Sequence, residues 1–305
     1  MKIFLTGATG YIGGSVADAL LKHGHAVTGL VRTEEGAKQL QARGMKTVLG
    51  TLDDSDVVSR AAREAEAVID TAEANHPGVV DAIAAALRGS GKPFIHTSGS
   101  GIVATDARGE LVDAVYDEYS SFTPSFPRMV QRAAIDQVVF DCAKQNVRSV
   151  VIRPTMIYGG GRGVRTESAQ VPALIDNAKK EGIGLHIGRG ENYWANVHID
   201  DVVDLYLLAL EKAPAGALYY AENGENQLKD VAAAISRLLG FGGKTRNWSP
   251  EDAEKALGPK AHSSFASNSR VRGKRSRAEL GWQPKGIPVF EEIERGHYRR
   301  VHKPF

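Results

Sequence analysis

Residues 4–14, Phe4-Leu5-Thr6-Gly7-Ala8-Thr9-Gly10-Tyr11-Ile12-Gly13-Gly14, constrain the fold of this 305-residue chain more than any other stretch. The apolar run Ile3-Phe4-Leu5 predicts a strand that breaks at Gly7, after which Ile12, Val16 and Leu20 recur at helical spacing. Glycines therefore occupy a strand-to-helix turn. There Gly7 permits the tight turn, Gly10 lets a pyrophosphate approach the backbone, and Gly13 lets the helix lie against the strand. The amides that open the helix face the phosphates. Thr9, Tyr11 and Ile12 ride on the same turn and join the three glycines as expected cofactor contacts. The spacing is GxxGxxG rather than the GxGxxG of the general dinucleotide fingerprint.

Apolar strand-like runs at 26–31, 45–49, 67–71, 94–97 and 149–152 alternate with helical patterns at 34–41, 55–65, 77–87 and 128–145. Short connections between them predict right-handed crossovers and a parallel sheet, the doubly wound Rossmann α/β fold. Its ligand lies across the carboxyl ends of the strands. Arg32 stands just past the second strand, where an acidic residue would grip the ribose hydroxyls of NAD; a cation there suits the 2′-phosphate of NADP, which is the cofactor expected. Thr33 adds a hydroxyl. Residues 98–126 are rich in acidic, glycine and proline positions and read as a surface excursion suited to a substrate lid. Beyond it the rhythm loosens. The division expected is a dinucleotide-binding domain over 1–155 and a smaller, mainly substrate-binding lobe over 156–305, with 196–215 packing back on the first.

A net charge of +2 gives no basis for nucleic-acid or membrane partners, and no apolar run reaches spanning length. The single cysteine, Cys142, lies in an apolar helical stretch and reads as a packed thiol, so no disulfide framework exists. With no leader-like start, the expectation is a cytoplasmic protein acting on a small molecule. No tight His/Asp/Glu cluster supports a metal site. Asp53-Asp54 and Asp200-Asp201 precede helices and read as caps.

Four motifs in order, Thr6-Gly7-Ala8-Thr9-Gly10-Tyr11-Ile12-Gly13, Arg153-Pro154-Thr155-Met156-Ile157-Tyr158-Gly159, Val197-His198-Ile199-Asp200-Asp201-Val202 and Leu280-Gly281-Trp282-Gln283-Pro284, resemble the extended short-chain dehydrogenase/reductase superfamily, epimerase/dehydratase-like branch. The family places a serine or threonine after its fifth strand and a Tyr-x-x-x-Lys pair on the next helix. Ser98, or Ser100, fills the first position. Alignment on Pro127 puts Arg128 where the tyrosine belongs and Arg132 where the lysine belongs, so the resemblance is to atypical members lacking the pair. Arginine keeps its charge and cannot exchange the proton. What the resemblance implies is that Arg132 donates to the nicotinamide ribose and Arg128 binds a carboxylate or stabilises developing negative charge. It also implies cofactor contacts at Ala72, Thr97, Pro154 and Ile157.

Replacement proton donors stay open among Tyr158, Tyr193, His198, Tyr116 and Tyr119, and a structural role stands beside the catalytic one for Tyr158 and His198. Many relatives carry asparagine where Met156 stands. Together with Tyr158, Tyr193 and Trp194, that departure favours an apolar or aromatic substrate over a sugar nucleotide, and Ser100 is a further expected substrate contact. The basic run 270–277 reads either as a grip for phosphate or carboxylate or as a solvated helix start. The function expected is NADPH-dependent reduction of a small, apolar or aromatic carbonyl, imine or conjugated substrate. The alternatives are a non-catalytic NADP-binding sensor or scaffold, and an epimerase or dehydratase. The resemblance further implies a homodimer built through 77–87 and 128–145.

Overall fold

In the computed structural model, which describes residues 1–302, strands and helices alternate through the first half. They are β1 Lys2–Thr6, α1 Tyr11–Lys22, β2 Ala26–Val31, α2 Glu34–Gln41, β3 Lys46–Leu49, α3 Ser55–Glu64, β4 Ala67–Asp70, α4 Pro77–Leu87 and β5 Pro93–Thr97. Then come the short β6 Tyr116–Asp117, α5 Pro127–Cys142, β7 Arg148–Pro154, β8 Met156–Tyr158, α6 Gln170–Glu181, β9 Gly184–Ile187 and β10 Tyr193–His198. The remainder is α7 Ile199–Lys212, β11 Ala217–Ala221, β12 Glu225–Gln227, α8 Leu228–Leu238, β13 Thr245–Trp248, α9 Pro250–Leu257, β14 Val271–Arg272, α10 Lys274–Leu280, α11 Val289–Glu294 and α12 His297–Val301.

Seven strands form one parallel sheet in the order β11-β7-β5-β4-β1-β2-β3. From β1 the chain builds outward to β2 and β3, then returns to β4 and builds the other way. That reversal opens a crevice at the carboxyl ends of β1 and β4, the place where such sheets bind ligands. Helices cover both faces, so the central strands carry apolar side chains on both; every residue of β4 and β5 is buried. α1 lays Val16, Ala17 and Leu20 on the sheet, all fully buried. A Leu20→Ala change there would cost about 2–5 kcal/mol through lost burial and the cavity left behind. Local chemistry sets the helix starts: Thr33 Oγ1 accepts from Gly36 N at 3.1 Å, and Pro77 and Pro127 open α4 and α5 without needing an N–H partner.

Packing joins the two halves closely. Val202, Leu205, Tyr206 and Ala209 of α7 share a core with Ile3, Leu5 and Leu20, and Tyr219 and Trp282 enter the same cluster. The C-terminal lobe has its own core around Ile175, Leu185, Val231, Ile235, Trp248 and Phe265. Residues 98–126 do not hang free as a lid would. β6 pairs with β14, Asp117 takes an ion pair from Lys274 at 2.7 Å, and Thr105 bridges to Asn268. Asp201 is also not a cap: His198 Nδ1 accepts from Asp200 N at 3.2 Å, while the buried Asp201 carboxylate accepts from Lys285 N at 2.6 Å and Gly286 N at 3.0 Å. It anchors the C-terminal backbone beside α7.

Candidate active-site cleft

A cleft of about 1410 Å³ runs across the carboxyl ends of the central strands. At its middle, Gly7 adopts φ +72°, and Gly10 N closes the turn onto Gly7 O at 2.8 Å. A β-carbon on Gly13 would lie 2.3 Å from both Gly7 O and Thr71 Oγ1, so only hydrogen fits. Gly13 is therefore a seat for the helix and not a wall of the cleft, whereas Gly7, Thr9, Gly10, Tyr11 and Ile12 all line it. The first turn of α1 has no acidic residue and no side-chain cap, so its opening amides remain available to an anion. A dinucleotide pyrophosphate fits this cradle.

The exposed Arg32 guanidinium marks one end of the cleft and makes no ion pair or hydrogen bond among the described residues. Glu35 lines the same end with its carboxylate turned to Gln39 at 3.3 Å.

Ser98, Ser100, Arg128 and Arg132 gather at the other end, with Ala72, Pro154 and Ile157 between. The arginines are one helical turn apart on α5 and meet the loop after β4. Asn75 Oδ1 accepts from Arg132 Nε at 3.1 Å, from Arg132 Nη2 at 2.6 Å and from Arg128 Nε at 3.2 Å. Arg128 also pairs with Glu73 at 2.9 Å. Arg132 Nη1 is left facing Gly99, 3.1 Å from where a β-carbon there would sit. Burial, and then the neighbouring Arg128 charge, pull the Arg132 pKa below its ordinary value. Two cations converge here against one exposed carboxylate.

Behind this surface lies a buried polar network. Ser98 Oγ donates to Asp136 Oδ2 at 2.9 Å, and Arg153 pairs with the same oxygen through Nε at 2.9 Å and Nη2 at 2.8 Å. His96 Nδ1 bonds Asp70 Oδ2 at 2.8 Å, and Thr6 Oγ1 donates to the other Asp70 oxygen. Burial opposes ionisation of Asp70, and the His96 and Thr6 contacts outweigh it, holding its pKa below the usual carboxylate range. Sequence reasoning missed Asp136, Asn75 and Glu73. The signal for Asp136 was present: 128, 132 and 136 fall at i, i+4 and i+8 on one helix face.

The cleft is further walled by Met129, Gly101 and Trp194, whose Nε1 donates to Ser267 O at 2.9 Å, and by Arg165, Gln170, Lys260, Ser263 and Ser264.

Residues 3–220 match the NAD dependent epimerase/dehydratase family. The chain belongs to the NAD dependent epimerase/dehydratase family. Among its relatives, the oxidase ucsJ of Acremonium sp. is 31% identical, covering 96% of this chain and 95% of that one. The 4-hydroxy-2-methyl-3-oxo-4-farnesyl-3,4-dihydroquinoline-1-oxide ketoreductase of Stigmatella aurantiaca is 30% identical over 73% of this chain and 69% of its own. The dTDP-glucose 4,6-dehydratase DesIV of Streptomyces venezuelae, solved with NAD, has the same fold, with a TM-score of 0.78 at 18% identity over 99% and 98% of the two chains.

Several residues expected at the site lie elsewhere. Tyr158 is buried off the cleft with its hydroxyl donating to Ile287 O at 2.9 Å, and burial drives its pKa far up. It does not line the cleft. Thr97 Oγ1 donates to Asp70 O at 2.7 Å and lies 2.6 Å from Tyr206 OH, so it braces the sheet. Met156 packs in the C-terminal core. Tyr193 lies under the Arg270 guanidinium, 5.0 Å from the ring centre, and does not line the cleft. Tyr116 and Tyr119 do not line it either.

Among the described residues the one tyrosine on the cleft wall is Tyr11, whose hydroxyl donates to Gly159 O at 2.8 Å and whose pKa burial raises. The basic run 270–277 is engaged by internal carboxylates: Arg270 and Arg272 pair with Glu225 at 2.7 and 3.0 Å, and Arg277 pairs with Glu222 at 2.9 Å. No described cluster of three or more His, Cys, Asp or Glu side chains could hold a metal ion. No described helix is long and apolar enough to cross a membrane.

Proposed function

We propose that this protein is an NADPH-dependent reductase of a small carbonyl, imine or conjugated substrate, in which a guanidinium pair replaces the phenol as the group that meets developing charge. The observation that carries this reading is the arrangement of Arg132 and Arg128 on Asn75 at the reacting end of a cleft whose middle fits a pyrophosphate. Relatives named as an oxidase and a ketoreductase support redox chemistry. The Gly7–Gly10 turn and the opening amides of α1 would hold the diphosphate, and unpaired Arg32 would meet a 2′-phosphate. Reduced nicotinamide, when bound, supplies hydride.

The chain's own residues then have one electrostatic task. Addition to a carbonyl or conjugated acceptor moves negative charge onto oxygen, and Arg132 Nη1 offers it preorganised hydrogens without giving up a proton. Exposed Arg165 and Lys260 border the open side, from which water can supply the proton. The apolar Met129 and Trp194 walls favour an apolar or aromatic substrate body.

The test is NADPH consumption, followed by nicotinamide absorbance, across a panel of ketones, cyclic imines and enones. Substrate-dependent oxidation is expected. Tight NADPH binding with no oxidation by any class would replace the reductase reading with that of a non-redox NADP-binding protein.

A further inference from the structure

Ser98 stands at the carboxyl end of β5, and its hydroxyl hydrogen goes to Asp136 Oδ2. Asp136 is fully buried and shares that oxygen with Nε and Nη2 of Arg153, itself buried. A carboxylate held in that ion pair accepts hydrogen bonds and does not donate them. Ser98 has a single hydrogen to give, so what it turns to the cleft is an oxygen lone pair. One residue further on, Arg132 Nη1 faces Gly99 and offers only hydrogens. Neighbouring points of the reacting end therefore read opposite polarities: an acceptor at Ser98 and a donor at Arg132.

We infer that the substrate carries a hydrogen-bond donor beside its reacting carbonyl, as an α-hydroxyketone or the enol form of a β-dicarbonyl does, with the hydroxyl on Ser98 Oγ and the carbonyl oxygen on Arg132 Nη1. The inference rests on the reductase reading for which carbonyl reacts. It excludes Ser98 as the group that polarises the acceptor oxygen, because its proton is engaged elsewhere. A plain ketone leaves the outward lone pair of the 7% exposed Ser98 unmatched, and a site built to bond a hydroxyl discriminates against the analogue lacking it. A protonated imine satisfies Ser98 but sets a cation against Arg132.

The experiment titrates the full-length protein with NADP present, by calorimetry, using acetoin against butanone and benzoin against deoxybenzoin, and then compares kcat/KM for each pair with NADPH. The hydroxyketone of at least one pair is expected to bind about tenfold more tightly than its partner. Ser98→Ala removes that preference by weakening the hydroxyketone alone. Asp136→Asn presents an amide that can donate to Ser98, turning the hydroxyl proton toward the cleft, and shifts the preference to the plain ketone; if this variant does not fold, Ser98→Ala decides.

Equal affinities within both pairs, no binding of any of the four compounds, or a preference that survives Ser98→Ala would overturn the inference. Discrimination in binding without NADPH oxidation would uphold the donor–acceptor reading while removing the reductase reading. Oxidation at equal kcat/KM within each pair, with equal affinities, would do the reverse.

Discussion

Asn75 Oδ1 holds Arg132 through Nε and Nη2 at 3.1 and 2.6 Å while also taking Arg128 Nε at 3.2 Å. A neutral amide oxygen thus fixes two like charges side by side and leaves Arg132 Nη1 facing Gly99. Without it the cations repel and Arg132 gains rotamers. Asn75→Ala is expected to lower kcat about tenfold through lost orientation, with NADPH affinity changed less than about threefold. Steady-state kinetics beside a cofactor titration checks this, and a parallel loss of cofactor affinity would make Asn75 a cofactor ligand instead.

Arg32 gives a charge-reversal test of cofactor choice. It is exposed and unpaired among the described residues, so Arg32→Asp disturbs no internal contact. NADPH affinity should fall about 10–100-fold, the range for losing a hydrogen-bonded charge, while NADH affinity holds or improves. Equal losses for both cofactors would mean that Arg32 does not read the 2′-phosphate.

Gly13 tests the seating of α1. A β-carbon there meets Gly7 O and Thr71 Oγ1 at 2.3 Å, one of them backbone, and Gly7 cannot retreat without opening its turn. Gly13→Ala should destabilise the fold by about 1–3 kcal/mol by overpacking and weaken cofactor binding with it. Chemical denaturation with and without NADPH measures both effects.

The sheet was legible because each strand is a short apolar run between helical patterns, and β1 to β5 and β7 lie within a residue or two of where those runs predict. The cleft's glycine turn and the Arg128–Arg132 pair were legible for the same reason: they are local in sequence. What the sequence hid is what depends on side-chain direction. Tyr158 and Met156 stand on the turn that runs beside the cleft, yet both face the C-terminal core. Thr97 immediately precedes a cleft residue and points to Tyr206 instead. Asn75 reaches Arg132 across 57 positions, and the Glu225 partner of Arg270 lies 45 positions away, so neither contact has a local pattern to announce it.

Glu225 makes the protein's acid response predictable. Burial opposes its ionisation, and hydrogen bonds from Arg270 and Arg272 outweigh burial, taking its pKa from 4.5 down to about 2. A carboxylate depressed in the folded state contributes stability above its unfolded pKa and loses it as pH falls toward the folded value. Glu225→Gln should therefore melt below the wild type at pH 6, and the gap should close as pH falls from about 5 to 2. Thermal melts by circular dichroism across that range provide the check; a gap constant with pH would show that the charge on Glu225 is not what stabilises the lobe.

The most direct test of the guanidinium account is single-turnover hydride transfer from bound NADPH to a substrate found in the carbonyl panel, comparing wild type, Arg132→Ala and Arg132→Lys. Losing one preorganised donor at a developing oxyanion costs about 100-fold or more in rate, so Arg132→Ala should slow transfer by that factor with cofactor affinity near wild type, and Arg132→Lys should recover part of it. Transfer at the wild-type rate in Arg132→Ala would contradict the account.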